Sequence, residues 1–165
     1  MSNLTNLTGL LTENLNNAFN SEHQQLEELP GFAKKAKSPE LQQAIINYLD
    51  KKIQHLQRIQ ETLSILNIKL ITGPSPIVNT LISQGNDFTE NITDSNVCDA
   101  ALISSMQQIN HYDIANYGTL ASYAKALGQE KVANLLQSNL DEEKETDRQL
   151  TKIAETKITP RMKRG

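Results

Sequence analysis

The sequence predicts an all-α chain, a four-helix bundle of two antiparallel hairpins joined by a long crossover. Three observations carry that prediction. Leu, Ala, Gln, Glu and Lys are abundant, while aromatics make up 4% and Trp is absent, which disfavours a β-sandwich core. Apolar residues recur at three- and four-residue steps through four long stretches. The segment 73–93 is the one connection too long for a tight helix-to-helix link.

The first helix is expected from about Gly9 to Leu29, with Leu11, Leu15, Phe19, Leu26 and Leu29 on its stripe. Pro30-Gly31 should kink it, with a further turn or two from Phe32 to Lys37. Ser38-Pro39 is an N-cap followed by proline at the first helical position, a start signal for a second helix running through Ile45, Tyr48, Ile59 and Leu63 to about Asn67. The short break between the two forces them antiparallel. Gly73-Pro74-Ser75-Pro76 ends any helix, and Ile77–Ile82 is the only weak apolar run before Thr93, enough for a short helix. Asp94 or Ser95 caps the third long helix, which carries Leu102, Met106, Ile109, Tyr117, Leu120, Ala124 and Leu127 up to Gly128, a C′ glycine. The fourth helix follows at once, with Val132, Leu136, Leu140, Leu150 and Ile153 on one stripe. Two tight hairpins and one long crossover is the connectivity of ferritin-like bundles. One domain is expected over 1–158, followed by a disordered basic tail over 159–165.

Each stripe is interrupted near its middle by polar residues: Glu22 on the first, Lys51 and His55 at the edge of the second, Asn110 and Asp113 on the third, Glu143 and Asp147 on the fourth. Counted from the hairpin turns, they fall at matching heights of roughly 20 Å, so they should converge in one mid-bundle layer. Burying an ionised carboxylate without a partner costs several kcal/mol, so such a layer needs cations, mutual hydrogen bonds or metal. A di-metal carboxylate centre usually takes a Glu from each of two helices and a Glu-x-x-His from each of the other two, and no Glu-x-x-His occurs here. A protonated lysine cannot ligate metal but can neutralise acids in its place. The residues therefore favour a salt-bridged cluster centred on Lys51. A metal site of Glu22, His55, Asp113, Glu143 and Asp147 stands as the alternative.

The rest of the chain narrows the function classes. A net charge of −3 offers no broad basic surface for nucleic acid, and the only basic cluster is Arg161, Lys163 and Arg164. No segment is long and apolar enough to span a bilayer, the N-terminus lacks a signal-peptide pattern, and the single cysteine, Cys98, suits a reducing compartment, so the protein is expected in the cytoplasm. There is no phosphate-binding glycine loop, no Gly-x-Ser-x-Gly and no Cys-x-x-Cys. His23 is expected at the surface, and His111 at a boundary. Tyr112, Tyr117 and Tyr123 are expected as packing residues.

Three stretches resemble the YciE/YciF-type ferritin-like family of bacterial stress proteins: Asn20-Ser-Glu-His-Gln-Gln-Leu-Glu-Glu-Leu-Pro30, His111-Tyr-Asp-Ile-Ala-Asn-Tyr-Gly-Thr-Leu120 and Leu140-Asp-Glu-Glu-Lys-Glu-Thr-Asp-Arg-Gln-Leu-Thr151. The resemblance implies a ferritin-like bundle, usually a homodimer, with a two-metal carboxylate centre of iron or manganese. It assigns acidic positions to Glu22, Asp113, Glu143 and Asp147. This sequence departs at Asn110, where the family has Glu, and at Tyr48 and Lys51, where its second helix has a His and a carboxylate. Two functions are thus expected to compete. One is a non-enzymatic protein with a degenerate centre, carrying no cofactor and acting in assembly or partner binding; the other is a di-metal protein handling peroxide, oxygen or iron.

Overall fold

In the computed structural model, which describes residues 5–162, four long helices surround one interior: α1 (Leu7–Lys35), α2 (Pro39–Ile65), α4 (Ser95–Ala126) and α5 (Glu130–Ile153). A shorter helix, α3 (Pro76–Glu90), lies in the crossover, and the chain ends in a π-helical segment, Ala154–Ile158, and a short α6, Thr159–Met162. There is no strand among the described residues. α1 pairs with α2 and α4 with α5; α2 also packs on α5 and α1 on α4, which closes the ring. α1 runs on through Pro30 to Lys35, with Leu29 and Phe32 fully buried on either side of the proline. Lys163 and Arg164 of the expected basic tail lie outside the described residues, while the chain up to Met162 stays helical and buries Ile158.

The helix ends follow local chemistry. Asn6 and Ser38 accept hydrogen bonds from the backbone N–H groups of Gly9 and Leu41, and Asp94 accepts from both Asn96 and Val97. Gly128, at φ 70°, ends α4 in a Schellman motif, with Gln129 N–H donating to the Ala124 carbonyl and Gly128 N–H to that of Lys125. Asn67, at φ 51°, ends α2 in the same way.

The α1–α2 turn is held from outside by Asp99 of α4. Its Oδ1 and Oδ2 accept from the Lys37 and Ser38 N–H groups at 2.7 and 2.8 Å, and the residue is only 2% exposed. Removing the carboxylate strands two donors in a nearly dry turn. Asp99→Ala is therefore expected to cost about 2–3 kcal/mol, read as a lowered urea-unfolding midpoint.

The crossover is longer in helix than the sequence suggested, fifteen residues against a run of six. Its propensity is weakened by Asn79, Ser83 and Gly85, but packing overrides that. Val78, Ile82, Gly85 and Thr89 are buried, and a Cβ on Gly85 would stand 2.7 Å from Phe32 Cζ and 2.9 Å from Ser105 Cβ. Gly85→Ala should force α3 off α1 and α4 at a cost of about 1–3 kcal/mol, visible as a lower thermal midpoint. Before α3, the chain is tied along α1 by three amide side chains one turn apart. Asn16 and Asn20 accept from the Ile71 and Gly73 N–H groups, and Gln24 accepts from that of Ser75.

The interior has two apolar halves. One contains Leu29, Phe32, Leu41, Ile45, Val78, Leu102, Met106 and Leu150. The other contains Leu11, Leu15, Phe19, Ile59, Leu63, Leu120, Leu136 and Leu140. Between them lies the polar layer.

Candidate functional site

The centre of that layer is Lys52. α2 presents Leu41, Ile45, Tyr48, Lys52, His55, Ile59 and Thr62 to the interior, alternating steps of four and three. Lys52 Nζ lies 2.6 Å from Glu143 Oε1, 2.7 Å from Asp113 Oδ2 and 3.1 Å from Glu22 Oε1, so acids from α5, α4 and α1 converge on a cation from α2. The lysine side chain is 0% exposed and the three acids are at most 3% exposed. The layer expected from the sequence is thus assembled, but with a different lysine. Lys51 is half-buried, and its Nζ donates to Thr146 Oγ1 at 3.1 Å. One residue's step around a helix turns the side chain by about 100°, which takes Lys51 off the inward stripe.

Five of the other sequence-derived members are in place. Glu22, Asp113 and Glu143 contact Lys52, and buried Asn110 turns its amide nitrogen to Glu143, donating to Oε2 and to the backbone carbonyl. His55 is also buried, with Nδ1 3.2 Å from Glu143 Oε1 and 3.4 Å from Glu22 Oε1. Asp147 is not in the layer. It is 26% exposed and accepts from Gln107 Nε2, and it pairs at 3.1 Å with Nε2 of the exposed His111. Thr146 takes the inward position on that turn of α5.

Several contributors escaped the sequence reading. Tyr48 O–H donates to Glu143 Oε2 at 2.8 Å, and Tyr117 O–H donates to Glu22 Oε1 at 2.6 Å, so these tyrosines hold the acids as well as pack. Gln25 Nε2 donates to Asp113 Oδ2 at 2.8 Å. The Tyr48 ring lies 4.6 Å below the Lys52 ammonium, and His55 meets the Tyr117 ring edge-on. On the outer side, His55 Nε2 is 3.0 Å from Glu142 Oε2, and Glu142 is gripped by both terminal nitrogens of Arg58. Glu142 is 29% exposed, so the buried layer reaches the surface along this chain of contacts.

The electrostatics follow from three acids sharing two cations. Burial disfavours the Lys52 ammonium, but Asp113, Glu143 and Glu22 outweigh it and hold the ammonium well above the usual lysine range. Burial likewise works against charged His55, yet the Glu143 and Glu22 carboxylates beside it lift the imidazole to about 9. Glu143 is held down to about 2 because Lys52 and His55 overcome its burial. Asp113 is pushed up to about 7: burial comes first, Lys52 opposes, and the neighbouring carboxylates push it up again. A single proton on the acids would make the cluster neutral, and Asp113 carries it most readily. Burial, reinforced by Glu143 and Glu22 respectively, keeps Tyr48 and Tyr117 as phenols.

Glu22, His55 and Glu143 could together offer a metal three ligand atoms within 4.8 Å of one another. Glu22 Oε2 is buried with no hydrogen-bond partner, and His55 Nδ1 is in ion-pair range of Glu143 and Glu22 without hydrogen-bond geometry to either. A two-metal centre does not fit the full set. Lys52 holds one oxygen of each acid, and Asn110 supplies amide hydrogens to Glu143 where a bridging carboxylate would supply lone pairs.

A family model described as a domain of unknown function, DUF892, matches residues 6–163. Protein YciF of Escherichia coli (strain K12) is 33% identical over 153 residues, 92% of this chain and 92% of that protein. The crystal structure of the E. coli stress protein YciF has the same all-helical fold, with a TM-score of 0.88 at 32% identity over 92% of this chain and 96% of that one. YcfI from Rhodopseudomonas palustris matches with a TM-score of 0.87 at 28% identity, over 91% of this chain and 96% of that one. The three motifs that suggested YciE/YciF-type proteins thus agree with whole-chain similarity in sequence and in fold. This chain belongs to the DUF892 family, with YciF among its relatives.

Proposed function

We propose that this protein is a ferritin-like four-helix bundle whose two-metal centre has degenerated into a salt-bridged cluster, and that it acts in stress as a non-enzymatic protein through assembly or partner binding. The observation that carries the reading is the Lys52 ammonium within 3.1 Å of three carboxylates drawn from three other helices. An ammonium there supplies the positive charge that a metal would supply, but no redox or Lewis-acid chemistry. The relative's description as a stress protein supports the setting. A homodimer or higher homo-oligomer is the assembly proposed, in the cytoplasm. The net charge of −3 gives no reason to invoke nucleic acid, and no described helix is long and apolar enough to cross a membrane.

One observation favours a second reading, a carboxylate protein that loads iron or manganese and handles peroxide, oxygen or iron. Glu22, His55 and Glu143 still face one another, and Glu22 Oε2 is buried without a hydrogen-bond partner. Elemental analysis of the full chain, purified without chelators or an affinity tag, separates the two. Folded protein without stoichiometric iron or manganese is expected; stoichiometric metal retained through gel filtration would overturn the salt-bridge reading.

A further inference from the structure

We infer that Lys52 and Asp113 are placed to condense into an intramolecular isopeptide bond, a covalent tie between α2 and α4. The inference rests on Lys52 being the resident cation of the layer, as proposed above, since only a lysine inside the cluster can react.

Amide formation between a lysine and a carboxyl side chain needs an amine against a carboxyl carbon, a second carboxylate to carry protons, donors for the developing oxyanion, and exclusion of water. Each part is present. Lys52 Nζ is 2.7 Å from Asp113 Oδ2, so the amine is held against the carboxyl group it would have to attack. Glu143 Oε1 lies 2.6 Å from the same nitrogen, and Glu22 Oε1 lies 3.1 Å away. Gln25 Nε2 donates at 2.8 Å to Asp113 Oδ2 and holds the carboxyl in place, while Ser21 Oγ, 3.5 Å from Oδ1, faces the oxygen on which charge would build. The amine is 0% exposed and lies over the Tyr48 ring, and Asp113 is 3% exposed, so little water is present to reverse the step.

The atoms balance without any oxidant or co-reactant. One ammonium proton passes to Asp113, leaving an amine beside a carboxylic acid. The nitrogen lone pair attacks Asp113 Cγ. Glu143 takes a second proton from nitrogen and delivers it to the Oδ2 hydroxyl, formed by the first transfer, which departs as water while Oδ1 becomes the amide oxygen; the third proton stays on the amide, and Glu143 returns to its starting form. The new C–N bond replaces two buried charges by one neutral amide, which removes their desolvation cost. It also closes a loop running from residue 52 to residue 113, which restricts the unfolded chain. Because the ammonium form dominates, the reaction is a slow, single event after folding.

The test is the intact mass of full-length protein, followed over days after folding under native conditions and combined with peptide mapping. The expected result is a chain lighter by one water, with the Lys52 and Asp113 peptides joined. Asp113→Asn keeps the shape and should lose ammonia instead of water through the same link, and Lys52→Arg should lose nothing. Wild-type protein that stays at its full sequence mass would overturn the inference, as would a water loss that persists in Lys52→Arg or maps to another pair. Metal-free protein at full mass removes this cross-link and leaves the salt-bridge reading standing. Protein that retains stoichiometric metal removes that reading, and the cross-link with it.

Discussion

Lys52→Met is expected to lose about 3–5 kcal/mol of stability in newly folded protein, among the largest effects of any single substitution in this chain. The methionine fills a similar volume, so the loss comes from electrostatics: Glu22, Asp113 and Glu143 keep their burial and lose the ammonium they share. Two responses are then open. The acids can take up protons, which shifts the remaining stability towards low pH, or they can take up a cation. Glu22, His55 and Glu143 already face one another, so added manganese or zinc should raise the thermal midpoint of Lys52→Met while leaving the wild type unmoved. Urea unfolding with and without metal reads both effects. A loss below about 1 kcal/mol would mean that the acids find water without the lysine, and the centre would not be the closed cluster described above. Lys51→Met is the matching control. Its half-buried ammonium donates to the Thr146 hydroxyl and touches no buried acid of the layer, and the change should stay within about 0.5 kcal/mol.

The contrast between Lys51 and Lys52 also shows what could be read from the sequence. Helix existence, the two hairpins and the Gly128 stop were all legible, because apolar spacing and capping residues are local signals. The polar layer was legible as a layer, since residues equally far from a hairpin turn meet at one height. Its membership required the phase of each helix, and that is a finer matter. On α1 one seam of buried residues runs through Leu11, Leu15, Ala18, Glu22, Gln25, Leu29 and Phe32; on α2 it runs from Leu41 through Tyr48, Lys52 and His55 to Thr62; on α5 it runs through Val132, Leu136, Asn139, Glu143, Thr146 and Leu150. These are strict alternations of four and three, the period of a bundle seam. Followed without regard to polarity, that period selects Lys52 over Lys51 and Thr146 over Asp147. Charge cannot make that choice, since Lys51 and Lys52 carry the same ammonium and Asp147 is the more polar of the last pair. The tyrosine hydroxyls, Gln25 and the Arg58–Glu142 contact to His55 left no such signal, because their partners are 84 to 95 positions away in sequence and only packing brings them together. The extent of α3 was hidden for a related reason. Its seat is a contact of Gly85 with Phe32 and Ser105, and no local propensity encodes that.

Between about pH 6.5 and pH 9 the wild type is expected to lose of the order of 3 kcal/mol of stability that a His55→Gln variant does not lose. Burial alone would favour neutral imidazole, but the Glu143 and Glu22 carboxylates at 3.2 and 3.4 Å from Nδ1 outweigh it and raise the folded-state value from 6.5 to about 9. The folded protein therefore binds this proton more tightly than the unfolded chain. The stabilisation is complete below 6.5 and disappears as pH rises through about 9. Asp113 acts in the same direction at lower pH. Its folded value of about 7 lies above its ordinary 3.8, so its proton stabilises the fold at acid pH and that contribution fades across the interval. Glu143 runs the opposite way, since a folded value near 2 gives stability that is present above about 4.5 and lost only in strong acid. The three windows overlap little, so the difference between wild type and His55→Gln isolates the imidazole. Urea midpoints at half-unit steps from pH 6 to 10, with the His55 ring proton followed by NMR, make the measurement. A ring that titrates near 6.5, or two stability curves that stay parallel, would show that His55 is neutral inside the fold, and the cluster would then hold three acids on Lys52 alone.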